Sequence, residues 1–153
     1  MIDAELVSLL AGCARCPYPG VWQGSPFAER MVDGARYVLV AVDAGLSALG
    51  VRRDDGSLWC LPQDGAPGLV NSSVEAFVAF NRAYEEAAAE AAAYEGPGDG
   101  LGDAETVDLA EQAADALTEA LLERFRALDA EAVADENAFW HIGAEELGYG
   151  MSV

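Results

Sequence analysis

The chain has 153 residues, 52% of them apolar, and sets 27 acidic side chains against 8 basic ones for a net charge of -19. That length suits one domain with an enclosed core. The charge argues against nucleic acid or an anionic membrane as a partner, because binding either normally needs a basic footprint. Basic partners are attracted instead, and associate fast, although solubility alone also accounts for a highly charged surface. All eight basic residues are Arg, and with the wealth of Ala and Gly this bias fits a GC-rich coding sequence as well as any function. Met1, Ile2, Asp3, Ala4 and Glu5 lack the basic start of a signal peptide, and no stretch approaches a membrane span. Three cysteines, an odd number, argue against a disulfide framework. The expected compartment is the cytoplasm.

In chain order, residues 4–14 predict a short helix, since Leu6, Leu9 and Leu10 recur at helical spacing. Cys13 to Gly20 is turn-rich, taken out of helix by Pro17 and Pro19. Trp22, Phe27 and Met31 follow in what reads as an irregular loop whose aromatics pack on a sheet edge. Tyr37 to Val42 is β-branched and apolar, a strand buried on both faces. Asp43, Ala44 and Gly45 turn it into a second strand ending at Arg52, and Asp54, Asp55 and Gly56 signal a hairpin into a third, Ser57 to Leu61. Pro62 ends that strand, and Leu69 and Val70 form a brief fourth.

The fourth strand runs into a helix through Asn71, Ser72 and Ser73. Ser72 and Glu75 have capping-box spacing. Val74, Phe77, Val78, Phe80, Tyr84 and Ala88 share one side of this helix, with Glu75, Arg82, Glu86 and Glu90 on the other. The turn at residues 96–102 holds four glycines and is read as the most flexible point. Asp103 is a good N-cap for a second long helix, to about Leu128, with Val107, Ala110, Ala114, Leu117, Leu121, Phe125 and Leu128 on one stripe. Asp135 is read as the cap of a last helix holding Phe139, Trp140, Ile142 and Leu147, ended by Gly148, Tyr149 and Gly150. The pattern predicts an α+β fold, an antiparallel meander packed against several helices. One domain over residues 1–153 is expected: an irregular and helical part at 1–35, a sheet at 36–71, and a helical part at 72–148.

Between Arg82 and Arg124 there is no basic residue, while Glu105, Asp108, Glu111, Asp115, Glu119 and Glu123 line one flank of the second long helix. Like charges at this spacing each weaken a helix by about 0.2–0.5 kcal/mol, and Glu119 and Glu123 stand too far along to gain from the helix dipole. Two readings stay open: a solvated face, or a docking face for a basic protein. On the second, the candidate partner-binding residues are Glu86, Glu90, Asp108, Glu111, Asp115, Glu119 and Glu123.

Other chemistry is thinner. Cys13 and Cys16 have CxxC spacing, and with Cys60 and His141 they supply the four ligands a zinc site needs; unpaired thiols are the simpler state. A thioredoxin-like motif wants a strand-to-helix junction in a βαβ unit, which is missing. The single histidine, His141, reads as a packed or surface imidazole beside Trp140 rather than a general base. There is no nucleophile elbow and no phosphate loop with its Lys, and Gly98 to Asp103 lacks EF-hand spacing. No catalytic residue, metal or cofactor is expected.

Leu69-Val70-Asn71-Ser72-Ser73-Val74-Glu75-Ala76-Phe77-Val78-Ala79-Phe80 resembles the signature of the SUKH superfamily, fourth subfamily. The hairpin through Asp55, Gly56, Ser57, Leu58 and Trp59 agrees, as does the closing Phe139-Trp140 with Glu145, Glu146 and Leu147. The resemblance spans residues 37–148. It implies an α+β immunity protein of a bacterial polymorphic toxin system, a non-enzymatic inhibitor that binds a secreted toxin domain, many of which are nucleases or deaminases. A scaffold or regulator of the same fold is one alternative, and a small Cys/His metal-binding protein or enzyme another. The oligomeric state and the toxin's identity stay open.

Overall fold

A computed structural model of the chain describes residues 3–11, 18, 20–24, 26–94 and 104–152. It confirms the α+β class: a six-stranded antiparallel sheet with helices on one face. After helix α1 (Asp3–Leu10) come strands β1 (Val21–Trp22), β2 (Glu29–Val32), β3 (Ala35–Asp43), β4 (Ser47–Arg52), β5 (Leu58–Pro62) and β6 (Gly68–Asn71). Helices α2 (Val74–Ala93), α3 (Ala104–Asp129) and α4 (Phe139–Ser152) complete the chain, with a single 3₁₀ turn at Ala130–Val133.

The meander β3-β4-β5-β6 forms where the apolar runs and turn residues place it. Gly45 and Gly56 take positive φ at the two hairpin turns, which a side chain would strain. At the second turn Asp55 binds both Arg52 and Ser57. Arg52 lies over the Trp59 ring, 5.0 Å from its centre.

The sheet does not begin at residue 36. Trp22 and Met31 fall in strands, β1 pairing Val21 with Val42 and β2 pairing Glu29 with Val38, both along β3. Together they make one broken edge strand, closed across the gap by backbone bonds from Gln23 to Val40 and from Leu39 to Ala28. Neither piece is long enough to show alternation in the sequence; β3 supplies their register. Trp22 still packs as an aromatic, 6.1 Å from Phe77.

Val38, Val40, Leu49, Val51, Leu58 and Val70 bury one face of the sheet against α2 and α4. Trp140, fully buried, is the centre of this core, with ring centroids of Phe77, Phe80, Phe125 and Phe139 all 5.2 to 5.9 Å away. Phe80 and Phe125 stack at 4.2 Å, joining α2 to α3. Of the stripe expected on α3, Ala114, Leu121 and Phe125 are buried, but Leu128 is 49% exposed and Leu122 is buried instead. The sheet's other face carries a smaller cluster of Tyr37, Leu39, Ala48 and Leu61.

Three helix ends differ from expectation. The cap of α2 is Ser73, whose hydroxyl accepts from the Ala76 amide at 3.0 Å, so Ser72 is free for a tertiary bond. Asp135 caps the turn before α4 rather than the helix itself, taking the Asn137 amide at 2.8 Å. Finally, α4 continues through Gly148, Tyr149 and Gly150 to Ser152. Gly148 serves close packing instead of termination: a Cβ there would collide with Thr118 Oγ1 and stand 2.8 Å from the Ala114 carbonyl oxygen. The glycine turn at 96–102 and Asp103 lie outside the described residues.

Candidate partner-binding surface

The strand-to-helix junction that carries the resemblance is a polar latch. Asn71, fully buried, accepts from the Trp140 indole N–H at 2.7 Å and donates to Asp129 at 3.3 Å. Asp129 also accepts from the Ser72 amide at 2.7 Å and the Ser72 hydroxyl at 2.8 Å. The end of α3 and the core of α4 are thereby tied to the start of α2. At this junction the buried Asn71 side chain and the Trp140 indole N–H both have partners, as burial requires. The motif therefore fixes the scaffold, and the chemistry it offers to solvent is slight.

Charge is distributed unevenly over that scaffold. Residues 21–71 carry four arginines against six carboxylates, whereas residues 72–153 carry three against nineteen. In the sheet region three of the four arginines are matched locally: Arg53 and Arg36 to Glu29, and Arg52 to Asp55. Hydrogen bonds from Arg52, then from Ser57, hold the Asp55 carboxyl well below the usual carboxylate range. The helices have no such supply of cations.

All seven candidate partner-binding residues are exposed. Asp108, Glu111, Asp115, Glu119 and Glu123 stand exposed along one flank of α3, Glu119 and Glu123 turned away from its buried side and Glu111 and Asp115 at its margin beside the buried Leu122. The Glu105 side chain falls outside the described ones. Glu111 and Asp115 border a hollow between α3 and α4 that Glu145 and Tyr149 also line. Glu86 and Glu90 belong to α2 and are set apart from the stripe. Glu86 is taken up by Arg124 at 2.7 Å, an ion pair that bridges α2 and α3, and Glu90 edges a groove floored by Ala113, Ala116, Leu117 and Ala120. The structure thus groups five of the seven on one helix flank.

The thiols and the imidazole do not gather. Cys60 is half-buried in β5, where burial pushes its thiol up, and lines a groove with Leu69, Phe139 and Ile142. His141 opens on a different hollow, with Arg126, Asp135 and Glu136. Its Nδ1 lies 2.9 Å from a Glu145 carboxylate oxygen, too oblique for a hydrogen bond. Cys13 and Cys16 lie outside the described residues, and among those described no three His, Cys, Asp or Glu side chains are placed to hold a metal. No helix of the described residues is long and apolar enough to cross a membrane.

Sequence reading missed the groove beside Cys60, which joins residues 60 and 68–69 of the sheet to residues 131–142. One signal pointed there: Ile142 stands two positions after Trp140 on a helix, so it cannot share that residue's buried face, and it is 40% exposed.

The fold gives the class first: an antiparallel sheet backed by helices, latched at one strand-to-helix junction. Residues 16–146 match the SUKH-4 immunity protein family, and the chain belongs to it. No curated protein and no solved structure matches the chain.

Proposed function

We propose that this immunity protein binds a toxin domain and blocks it without chemistry of its own, docking through the acidic flank of α3. The observation that carries the reading is the row Asp108, Glu111, Asp115, Glu119 and Glu123, exposed and unmatched by any described arginine in a protein of an immunity family. A sequence selected for helix stability alone gains from placing Lys or Arg among such carboxylates. Leaving them uncompensated makes sense when the compensating charge comes from a partner. A toxin acting on nucleic acid has a basic groove, and an acidic surface covers it while raising the encounter rate. Glu90 extends the same field from α2, and Glu86, already held by Arg124, contributes mainly by positioning α3. The protein acts in the cytoplasm of the producing cell on this reading, as one domain, with neither nucleic acid nor membrane as its target.

The direct test is neutralisation. A toxin domain sought among the neighbouring reading frames is expressed with and without it, and growth and toxin activity are measured. Protection with stoichiometric inhibition of the purified toxin supports the reading. A toxin that stays fully active in the presence of excess protein refutes it.

A further inference from the structure

The sheet ends differently on its two sides. On one side β3 is flanked by the broken strand β1 and β2. On the other, β6 has β5 on its inner edge and no described strand on its outer edge. An unpaired edge presents backbone donors and acceptors that template another strand. Asp129 closes this edge only at Ser72. Gly68 and Leu69 make no backbone bond to a described residue beyond β5, and the space over Gly68 is open, since a Cβ there would meet nothing within 4 Å.

Beside this open edge runs a groove of about 460 Å³, lined by Leu69, Phe139 and Ile142, with Glu131 and Asp135 also on its wall and no arginine among the described residues that line it. The two carboxylates decide what fits. A second copy of the chain, pairing β6 with β6 about a two-fold axis, would bring Glu131 and Asp135 towards their own counterparts, and like charges oppose that. A basic segment gains from both.

We propose that β6 and this groove form a strand-addition site for an extended segment of the toxin, an apolar side chain flanked by Arg or Lys. This rests on the reading that the partner is a toxin protein. Main-chain hydrogen bonds along Gly68 and Leu69 hold the segment, Leu69, Phe139 and Ile142 take its apolar side chain, and Glu131 and Asp135 take its cation. The acidic flank of α3 then sets how fast the partner arrives, and the edge sets how long it stays.

Amide hydrogen exchange of the full chain, alone and with the catalytically inactivated toxin domain that it neutralises, tests the site. The outward amides of residues 68–70 are expected to slow at least tenfold in the complex. Leu69→Arg and, separately, Ile142→Asp should each raise the dissociation rate at least tenfold, with the association rate unchanged. Ile142→Asp is an exposed helix change, so it keeps the test open if Leu69→Arg does not fold. Unchanged exchange at residues 68–70 in a formed complex overturns the edge site and leaves acidic docking standing. Absence of any complex overturns both.

Discussion

The β6–α2 junction and the acidic flank of α3 are both rich in polar groups, and they treat them in opposite ways. At the junction Asn71, Ser72, Asp129 and the Trp140 indole satisfy one another in and around the core. On α3 five carboxylates face water with no cation among the described residues paired to them. Satisfied polar groups hold a fold together, because a buried donor or acceptor left alone is expensive. Unsatisfied charges in water contribute little to stability and remain available to something else. The contrast divides the molecule into a part that specifies shape and a part whose charges the fold does not use.

Removing Trp140 strikes the sheltered part hardest. Trp140→Ala empties the space among Phe77, Phe80 and Phe125 and deprives Asn71 of its donor. A loss of about 3–5 kcal/mol is expected from urea unfolding. Asn71→Ala leaves the buried indole N–H alone, for a loss of about 1–3 kcal/mol. Adding Trp140→Phe to Asn71→Ala removes the orphan, so the double variant loses less than the two single losses added together. Next comes Asp129→Ala, which removes the acceptor of the Ser72 amide and hydroxyl and of the long bond from the Asn71 side-chain amide, for about 1 kcal/mol.

A smaller, pH-dependent effect belongs to the hairpin at Asp55. A carboxyl held low in the folded state stabilises the fold above its ordinary pKa of about 3.9 and loses that contribution as pH falls. Asp55→Asn therefore lowers the melting temperature at neutral pH, and the gap to the parent closes progressively below about pH 4. A gap that widens on acidification would contradict the Arg52–Asp55–Ser57 arrangement.

The least effect on stability is expected where the charge is greatest. Glu111→Gln, Asp115→Asn and Glu119→Gln together should stabilise the chain slightly, by about 0.2–0.5 kcal/mol for each like-charge pair relieved. A marked destabilisation would mean that these carboxylates have structural partners, and the contrast with the junction would fail.

Much of the scaffold was legible because its signals are local. Residues 37–42 alternate with turns that only Gly45 and Gly56 satisfy, and the long helices announce themselves by period. What escaped was set by tertiary contact. The short strands β1 and β2 exist because β3 offers them an edge. Ser72 and Ser73 are equally good caps by composition, and the Asp129 carboxylate reserves the first for itself. Gly148 reads as a stop, but Thr118 and the Ala114 carbonyl need the space of its missing side chain. The acidic row was visible as a periodicity; its exposure was not, since that depends on which side of α3 meets α2 and α4.

The most direct measurement is the association rate of the Glu111→Gln, Asp115→Asn, Glu119→Gln variant with the toxin domain that the protein neutralises, by surface plasmon resonance across ionic strength. At low salt it should fall at least tenfold below that of the parent, and the two should converge as salt screens the field. Equal rates at low salt would remove α3 from the encounter and contradict the account.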